Sequence, residues 1–196
     1  MVIAALVLAG CSSGSTETVE VTTTQQVTTT VAAAPTIETT TGPEIPTTDP
    51  DDVRGRLDVR NLNATRTGDL LAVSLTTYEA WNSSVLAGPG GPMQGANRIT
   101  IHYDVDLDGR SDYVGRVTWT GGALSLFISG SGSQFEPVPV ERPDNHTVQY
   151  VHPADVLFPA GAATDVDVQV RAETVYGGQV DEAPDDGRWL GVPFNP

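Results

Sequence analysis

Four aspartates lie within the nine residues DVDLDGRSD, at positions 104–112 of the 196-residue chain. Three occupy alternate positions, and the fourth closes the segment: Asp104, Asp106, Asp108 and Asp112. Calcium takes about six to eight oxygen ligands, and a chain that wraps one ion presents alternate side chains inward. Gly109 supplies the sharp turn that such wrapping needs. The spacing therefore predicts a calcium site, to which Arg110 would contribute its backbone carbonyl oxygen.

The segment resembles the D-x-D-x-D-G-x-x-D calcium loops found in β-hairpins of extracellular proteins, such as integrin propeller blades. It differs from an EF-hand, because the twelfth position of the loop is Gly115 and not a bidentate glutamate. The resemblance covers only 104–112 and the two flanking segments, RITIHY and YVGRVTW. It implies calcium as the bound ion, since magnesium prefers to keep its waters in a tighter octahedron.

The alternative is an acidic surface turn, because aspartate and glycine favour turns for reasons unrelated to metal. Without a cation, however, four carboxylates in one small loop repel each other and lower stability. We therefore favour the calcium site. We interpret the ion as structural, since the loop implies no substrate pocket.

A second acidic segment, QVDEAPDDGRW, contains Asp181 and Asp185. Together with the first loop it resembles a pattern of secreted bacterial β-sandwich domains, in which a D-x-D-x-D-G hairpin and a closing D-x-A-P-D-x-G segment recur. One hypothesis is that these two aspartates bind a second ion or complete the first site. The other, which we favour, is a solvated acidic turn before the last strand.

Aromatic residues suggest a different site. Trp81 and Trp189 could stack on a sugar, with core packing as the favoured alternative. The sequence offers little for a catalytic site, because the three histidines share no metal-ligand spacing and no G-x-S-x-G motif occurs. A paired-carboxylate glycosidase remains an alternative. We predict that the protein is not an enzyme, since short strands with short connections leave little room for a deep cleft.

The elements that would position these residues are short strands. Apolar and polar residues alternate from about residue 54 to the C-terminus, as they do in half-buried antiparallel strands. Leu71, Val73 and Leu75 lie on one face of such a segment, whereas the alternation around Leu57 and Val59 is imperfect. The regular segment is 69–78, and six others are also predicted as strands: 57–62, 98–103, 113–119, 123–129, 146–152 and 163–176. Seven or so strands predict an antiparallel β-sandwich, Ig-like or jelly-roll-like, over residues 54–196.

The chain begins MVIAALVLAGC, a short apolar run that ends in Leu8-Ala9-Gly10-Cys11, and Cys11 is the only cysteine. The run is too short to span a bilayer as a permanent helix. It resembles the lipobox of bacterial lipoproteins, in which the cysteine becomes the lipid-modified first residue after cleavage. The resemblance implies that residues 1–11 are a signal and that the protein is lipid-anchored on the extracytoplasmic face of the cell membrane.

Residues 12–53 are rich in threonine and proline, which predicts a disordered linker, with a threonine-rich strand at VEVTTTQQVTTTV as the alternative. The net charge is −15 and all ten basic residues are arginine. No basic stripe can displace counterions from phosphate, so nucleic acid is excluded as a partner. The partner that we expect is a cell-wall glycan or a surface protein. The function that we predict is display of a binding surface, and a carbohydrate-binding module of the cell envelope is the alternative.

Overall fold

The computed structural model describes residues 47–87, 97–130, 133–134, 137–158 and 165–194. Within these ranges the chain forms short 3-10 helices at Ser83–Leu86 and Ala154–Leu157, and no α-helix. In the same ranges, no helix is both long and apolar enough to cross a membrane. The strands are β1 (Thr47–Thr48), β2 (Val59–Thr67), β3 (Leu70–Thr77), β4 (Arg98–Asp104), β5 (Tyr113–Thr120), β6 (Ala123–Gly130), β7 (Ser133–Gln134), β8 (Val138–Pro139), β9 (Thr147–Pro153), β10 (Val168–Tyr176), β11 (Gln179–Ala183) and β12 (Leu190–Val192).

These strands form two antiparallel sheets. The first has the order β1-β2-β3-β9 and the second the order β11-β10-β4-β5-β6-β7, with β12 also paired to β10 and β8 to β6. The predicted all-β, antiparallel class is confirmed. The seven predicted segments correspond to the seven long strands, and β12 is the last strand expected after the acidic segment. In contrast, β1, β7, β8 and β11 were not predicted, since so few residues show little alternation.

One apolar core lies between the inner faces of the two sheets. In β3 the face predicted from the alternation is buried, with Leu71, Val73 and Leu75 at 2% exposure or less. The two sheets also meet through a polar contact in the interior. The hydroxyl of Tyr103 on β4 lies 2.7 Å from the hydroxyl of Tyr150 on β9. Burial of these faces is the main stabilising contribution to the fold.

A β-bulge explains the imperfect alternation at the start of β2. Val59 pairs with Thr77 and Asn61 pairs with Thr76, so Arg60 is an extra residue on this strand. A bulge shifts the side chains that follow it onto the opposite face. Val59 and Leu62 are therefore both fully buried although they are three positions apart.

The described domain begins before residue 54, where we predicted its boundary. β1 pairs with β2, and the backbone N–H of Asp49 donates to the carbonyl of Arg60 at 3.0 Å. The stretch TTDPDD at 47–52 is polar and contains proline, so its composition suggests a linker. Only pairing with a distant strand shows that residues 47–53 belong to the folded part.

Candidate metal centres

The predicted loop at 104–112 connects β4 to β5, as the sequence indicated. Asp104, the last residue of β4, is fully buried. Its Oδ1 accepts a hydrogen bond from the N–H of Leu107 at 2.7 Å, and its Oδ2 accepts one from Gly109 at 2.8 Å. Both donors have a positive φ, 61° and 82°, which folds the loop back over the carboxylate. Asp104 is therefore fixed by the backbone, whatever the loop binds.

Three of the four predicted carboxylates converge. One oxygen each from Asp104, Asp106 and Asp108 lies within 4.8 Å of the others, and we call this group the hairpin cluster. Asp112 is not one of these three residues, and its Oδ2 accepts a hydrogen bond from the N–H of Val105 at 2.9 Å at the base of the loop. Arg110 is exposed, and its N–H donates to Oδ1 of Asp108 at 2.8 Å.

A second group of carboxylates lies where the N-terminal part of the domain meets β11. It consists of two overlapping triads that share Asp181, and within each triad one oxygen per residue lies within 4.8 Å of the others. We call the five residues the junction cluster: Asp49, Asp52, Asp58, Asp181 and Asp185. The sequence pointed to Asp181 and Asp185, and the structure adds the other three.

The junction cluster is largely buried. Asp49, Asp58 and Asp181 are 2%, 3% and 5% exposed. Oδ2 of Asp181 accepts a hydrogen bond from the N–H of Val59 at 2.6 Å. In contrast, Oδ2 of Asp49 and Oδ1 of Asp58 are buried without a hydrogen-bond partner in the described structure. Burying a carboxylate oxygen without a partner costs free energy, and binding of a proton or a cation to these two atoms would remove that cost.

The electrostatics of the junction cluster agree with its burial. The pKa of Asp58 is raised to about 7 and that of Asp181 to about 6, chiefly by burial, and the charges of neighbouring aspartates contribute to both shifts. The pKa of Asp49 is also raised by burial and then by the charges of Asp181 and Asp185. Among the described residues, no arginine forms a salt bridge with any of the five aspartates. A divalent cation would favour the ionised carboxylates and remove this repulsion.

The two clusters are separate. Asp104 pairs with Gln169 on β10, and Asp181 pairs with Thr174 on the same strand. Five residues of strand span about 17 Å, whereas calcium binds its ligands at about 2.3–2.6 Å. Asp181 therefore does not complete the hairpin cluster. Nor does it belong to a solvated turn, since it is a buried residue of β11.

Trp81 and Trp189 are the residues considered for sugar stacking, with core packing as the favoured alternative. Trp81 is 3% exposed and packs in the core, with the guanidinium carbon of Arg142 at 4.0 Å from the centre of its ring. Trp189 is half-buried, and Arg171 lies over its ring at 5.1 Å. Core packing, the favoured alternative, therefore holds for Trp81. Cys11 and the linker before residue 47 lie outside the described residues.

Comparison of the chain with protein-family models, with curated proteins and with solved structures finds no match. No relative therefore suggests an activity for either cluster. The chemistry of both clusters is that of hard oxygen donors, which suit calcium or magnesium better than transition metals.

Proposed function

We propose that the protein is a non-catalytic surface lipoprotein, anchored through Cys11 to the extracytoplasmic face of the cell membrane. Its β-sandwich binds a structural calcium ion and displays a binding surface to a cell-wall glycan or a surface protein. The observation that carries the proposal is the hairpin cluster, in which three carboxylates converge on one point. The anchor rests on the resemblance of Leu8-Ala9-Gly10-Cys11 to a lipobox.

The geometry of the hairpin cluster suits an ion that strengthens the fold. Asp104 is held in place by two backbone N–H groups, and each of its oxygens keeps a second lone pair for a cation. Asp106 and Asp108 are exposed, so their side chains can close onto an ion from the solvent side. A calcium concentration of about 100 times the dissociation constant would stabilise the domain by about 2.7 kcal/mol.

Calcium titration of the full chain tests the ion site. We expect calcium to raise the melting temperature of the wild type, because only the folded chain assembles the ligands. The variant Asp106→Ala/Asp108→Ala should bind one calcium ion fewer by calorimetry and lose the corresponding part of the thermal shift. Asp69→Ala/Asp155→Ala, which removes the same charge from exposed positions, is the matched control. An unchanged stoichiometry in the hairpin variant would contradict the proposal.

Metabolic labelling with a radioactive fatty acid tests the anchor. We expect label in the wild type and none in Cys11→Ser, because the sulfur is the atom that carries the lipid in lipoproteins. Cys11→Ser should also move from the membrane fraction to the soluble fraction. Equal membrane association of the two proteins would rule out Cys11 as the anchor.

A further inference from the structure

We propose that the junction cluster is a second cation site, for calcium, that fastens residues 49–58 to β11. The inference is independent of the hairpin cluster, and the two groups share no residue. Only the role of residues 49–58 as the connection to a membrane tether rests on the proposed function. The cation site does not depend on the proposed function.

The first support is position. The segment 49–58 is attached to the domain at both ends: the hydroxyl of Tyr78 donates to the carbonyl of Asp49 at 2.5 Å, and Thr174 Oγ1 donates to that of Leu57 at 2.6 Å. Asp181 on β11 faces this segment from the second sheet, and its carboxylate holds the first residue of β2. An ion bound here would therefore connect the two sheets and the entering chain.

The second support is that two buried carboxylates of the cluster each have an oxygen without a hydrogen-bond partner in the described structure. A cluster of acidic residues on a surface would not by itself indicate a site, but Asp49 and Asp58 are about as buried as core residues. Each keeps one carboxylate oxygen without a hydrogen-bond partner in the described structure. The other members of each triad bring further carboxylate oxygens within 4.8 Å of these side chains. Only a positive charge satisfies such an arrangement when the carboxylates are ionised.

The third support is the donor chemistry, which selects the class of cation. The cluster consists of carboxylates alone, with no histidine or cysteine. Oxygens within 4.8 Å of each other match the separation across one calcium ion, whose bonds to oxygen are about 2.3–2.6 Å long. Magnesium prefers to keep several waters, which the two buried carboxylates and the third member of each triad would displace. Asp52 is exposed and provides the side from which the ion enters.

The consequence is a cation-dependent junction. Arg54 and Arg56 are exposed and lie between the ligands Asp52 and Asp58. Without the cation, repulsion among the carboxylates favours release of this segment, and a protease that cuts after arginine reaches it. With the cation, the segment is held at both sides of the two arginines.

Limited trypsin digestion of the full chain tests the junction. We follow cleavage after Arg54 and Arg56 by mass spectrometry, with calcium alone or with chelator, and an arginine-containing peptide serves as internal standard for the protease. At ten times the dissociation constant, calcium should slow cleavage by about tenfold, because cleavage follows the population of the open, metal-free segment. Asp52→Asn should lose this protection, and Asp51→Asn, an exposed neighbour outside the cluster, should keep it.

The two sites are distinguished by Asp106→Asn/Asp108→Asn. This variant should keep the calcium protection at Arg54 and Arg56. If it loses the protection while Asp52→Asn keeps it, the hairpin cluster binds calcium and the junction site is overturned. The junction site is also overturned if calcium protects neither arginine in the wild type. If the hairpin variant binds as many ions as the wild type and Asp52→Asn binds fewer, the junction site stands and the ion site of the proposed function fails.

Asp58→Asn separates a cation ligand from a purely structural residue. In chelator, this change removes a buried repelling charge, so the variant should melt at the temperature of the wild type or above it. In saturating calcium it should melt below the wild type, since a ligand is lost. A variant that melts below the wild type by the same amount in both conditions would show a structural role and overturn the site.

Discussion

Two buried aspartates, Asp104 and Asp58, differ in whether their carboxylate oxygens have hydrogen-bond partners. Asp104 is fully buried and both of its carboxylate oxygens accept hydrogen bonds from the backbone. Asp58 is almost as buried, yet its Oδ1 has no partner in the described structure. The first carboxylate stabilises its loop without a cation, whereas the second destabilises the ionised fold until a cation or proton binds. The proposed cation site at the junction cluster therefore predicts that stability depends on both calcium and pH.

A pH dependence follows from the raised pKa values of Asp49 and Asp58. The unfolded pKa of aspartate is about 3.9, so the protonated form favours the folded state, and this stability is lost as the pH rises through the folded value. For Asp58 the folded value is about 7. In chelator, the free energy of unfolding should fall by on the order of 1 kcal/mol between about pH 6.5 and about pH 8. Urea unfolding at each pH measures it.

Two controls isolate the effect. Burial lowers the pKa of His102 and His152, which changes stability in the opposite direction below about pH 6.5, so the range begins there. Asp58→Asn should reduce the dependence and leave the part due to Asp49, and saturating calcium should abolish it, because bound carboxylates are ionised across the range. A free energy of unfolding that is constant with pH in chelator would contradict the prediction.

At the scale of elements, the hairpin cluster depends on how closely β5 and β6 approach each other. Gly130, the last residue of β6, pairs with Tyr113, the first residue of β5. A Cβ atom on Gly130 would lie 2.6 Å from the carbonyl oxygen of Asp112 and closer still to the ring of Tyr113. Glycine is required at this position by the close approach of the neighbouring strand. The end of the loop at 104–112 is thus positioned by a strand that contributes no residue to the hairpin cluster.

Gly130→Ala should therefore shift the end of the loop at Asp112, although Gly130 itself is not part of the loop. We expect a loss of stability of about 1–3 kcal/mol, because the backbone at Asp112 must shift to relieve the overlap. Calcium affinity at the hairpin cluster should also fall. Ser129→Ala, one residue earlier and half-buried, should change stability by no more than about 0.5 kcal/mol. Urea unfolding and calorimetry of both variants test this, and equal effects would refute it.

At the scale of the whole molecule, polar contacts as well as apolar packing join the sheets, and two of them lie among the described residues. One is the hydrogen bond between Tyr103 and Tyr150 in the interior, and the other is Asp181 with the N–H of Val59 at the edge. The ring of His152 lies at right angles to that of Tyr103, with its centre 5.7 Å away. Both contacts require a specific alignment of the sheets, which apolar packing alone specifies less strictly.

The tyrosine pair gives a double-mutant test of that alignment. Tyr103→Phe or Tyr150→Phe should each cost about 1–3 kcal/mol, because the remaining hydroxyl is buried without its partner. The double variant should cost little more than either single change, since no hydroxyl is left unpaired. Urea unfolding of the four proteins measures the coupling. Strictly additive losses would show that the hydroxyls do not act as a pair.

Features that depend on neighbouring residues were predictable from the sequence alone. The seven long strands belong to this group because alternation within each is local, and β3 buries the residues expected. The grouping of carboxylates in the hairpin cluster was predictable for the same reason, since the three aspartates lie within five positions of one another. Asp112 lies at the base of the loop, where its Oδ2 accepts a hydrogen bond from Val105, and it is not among the three clustered carboxylates.

Contacts between residues that are distant in the sequence depend on the tertiary fold. The junction cluster unites Asp49, Asp52 and Asp58 with aspartates of β11 and the residues after it, and Val59 and Asp181 are 122 positions apart. No periodicity within a segment encodes such a contact, because it depends on how two sheets pack. Burial of Trp81 was likewise settled by packing, since an aromatic residue in a loop suits a surface or a core equally well. Local patterns specify strands and short loops, and only the folded chain brings their carboxylates to one point.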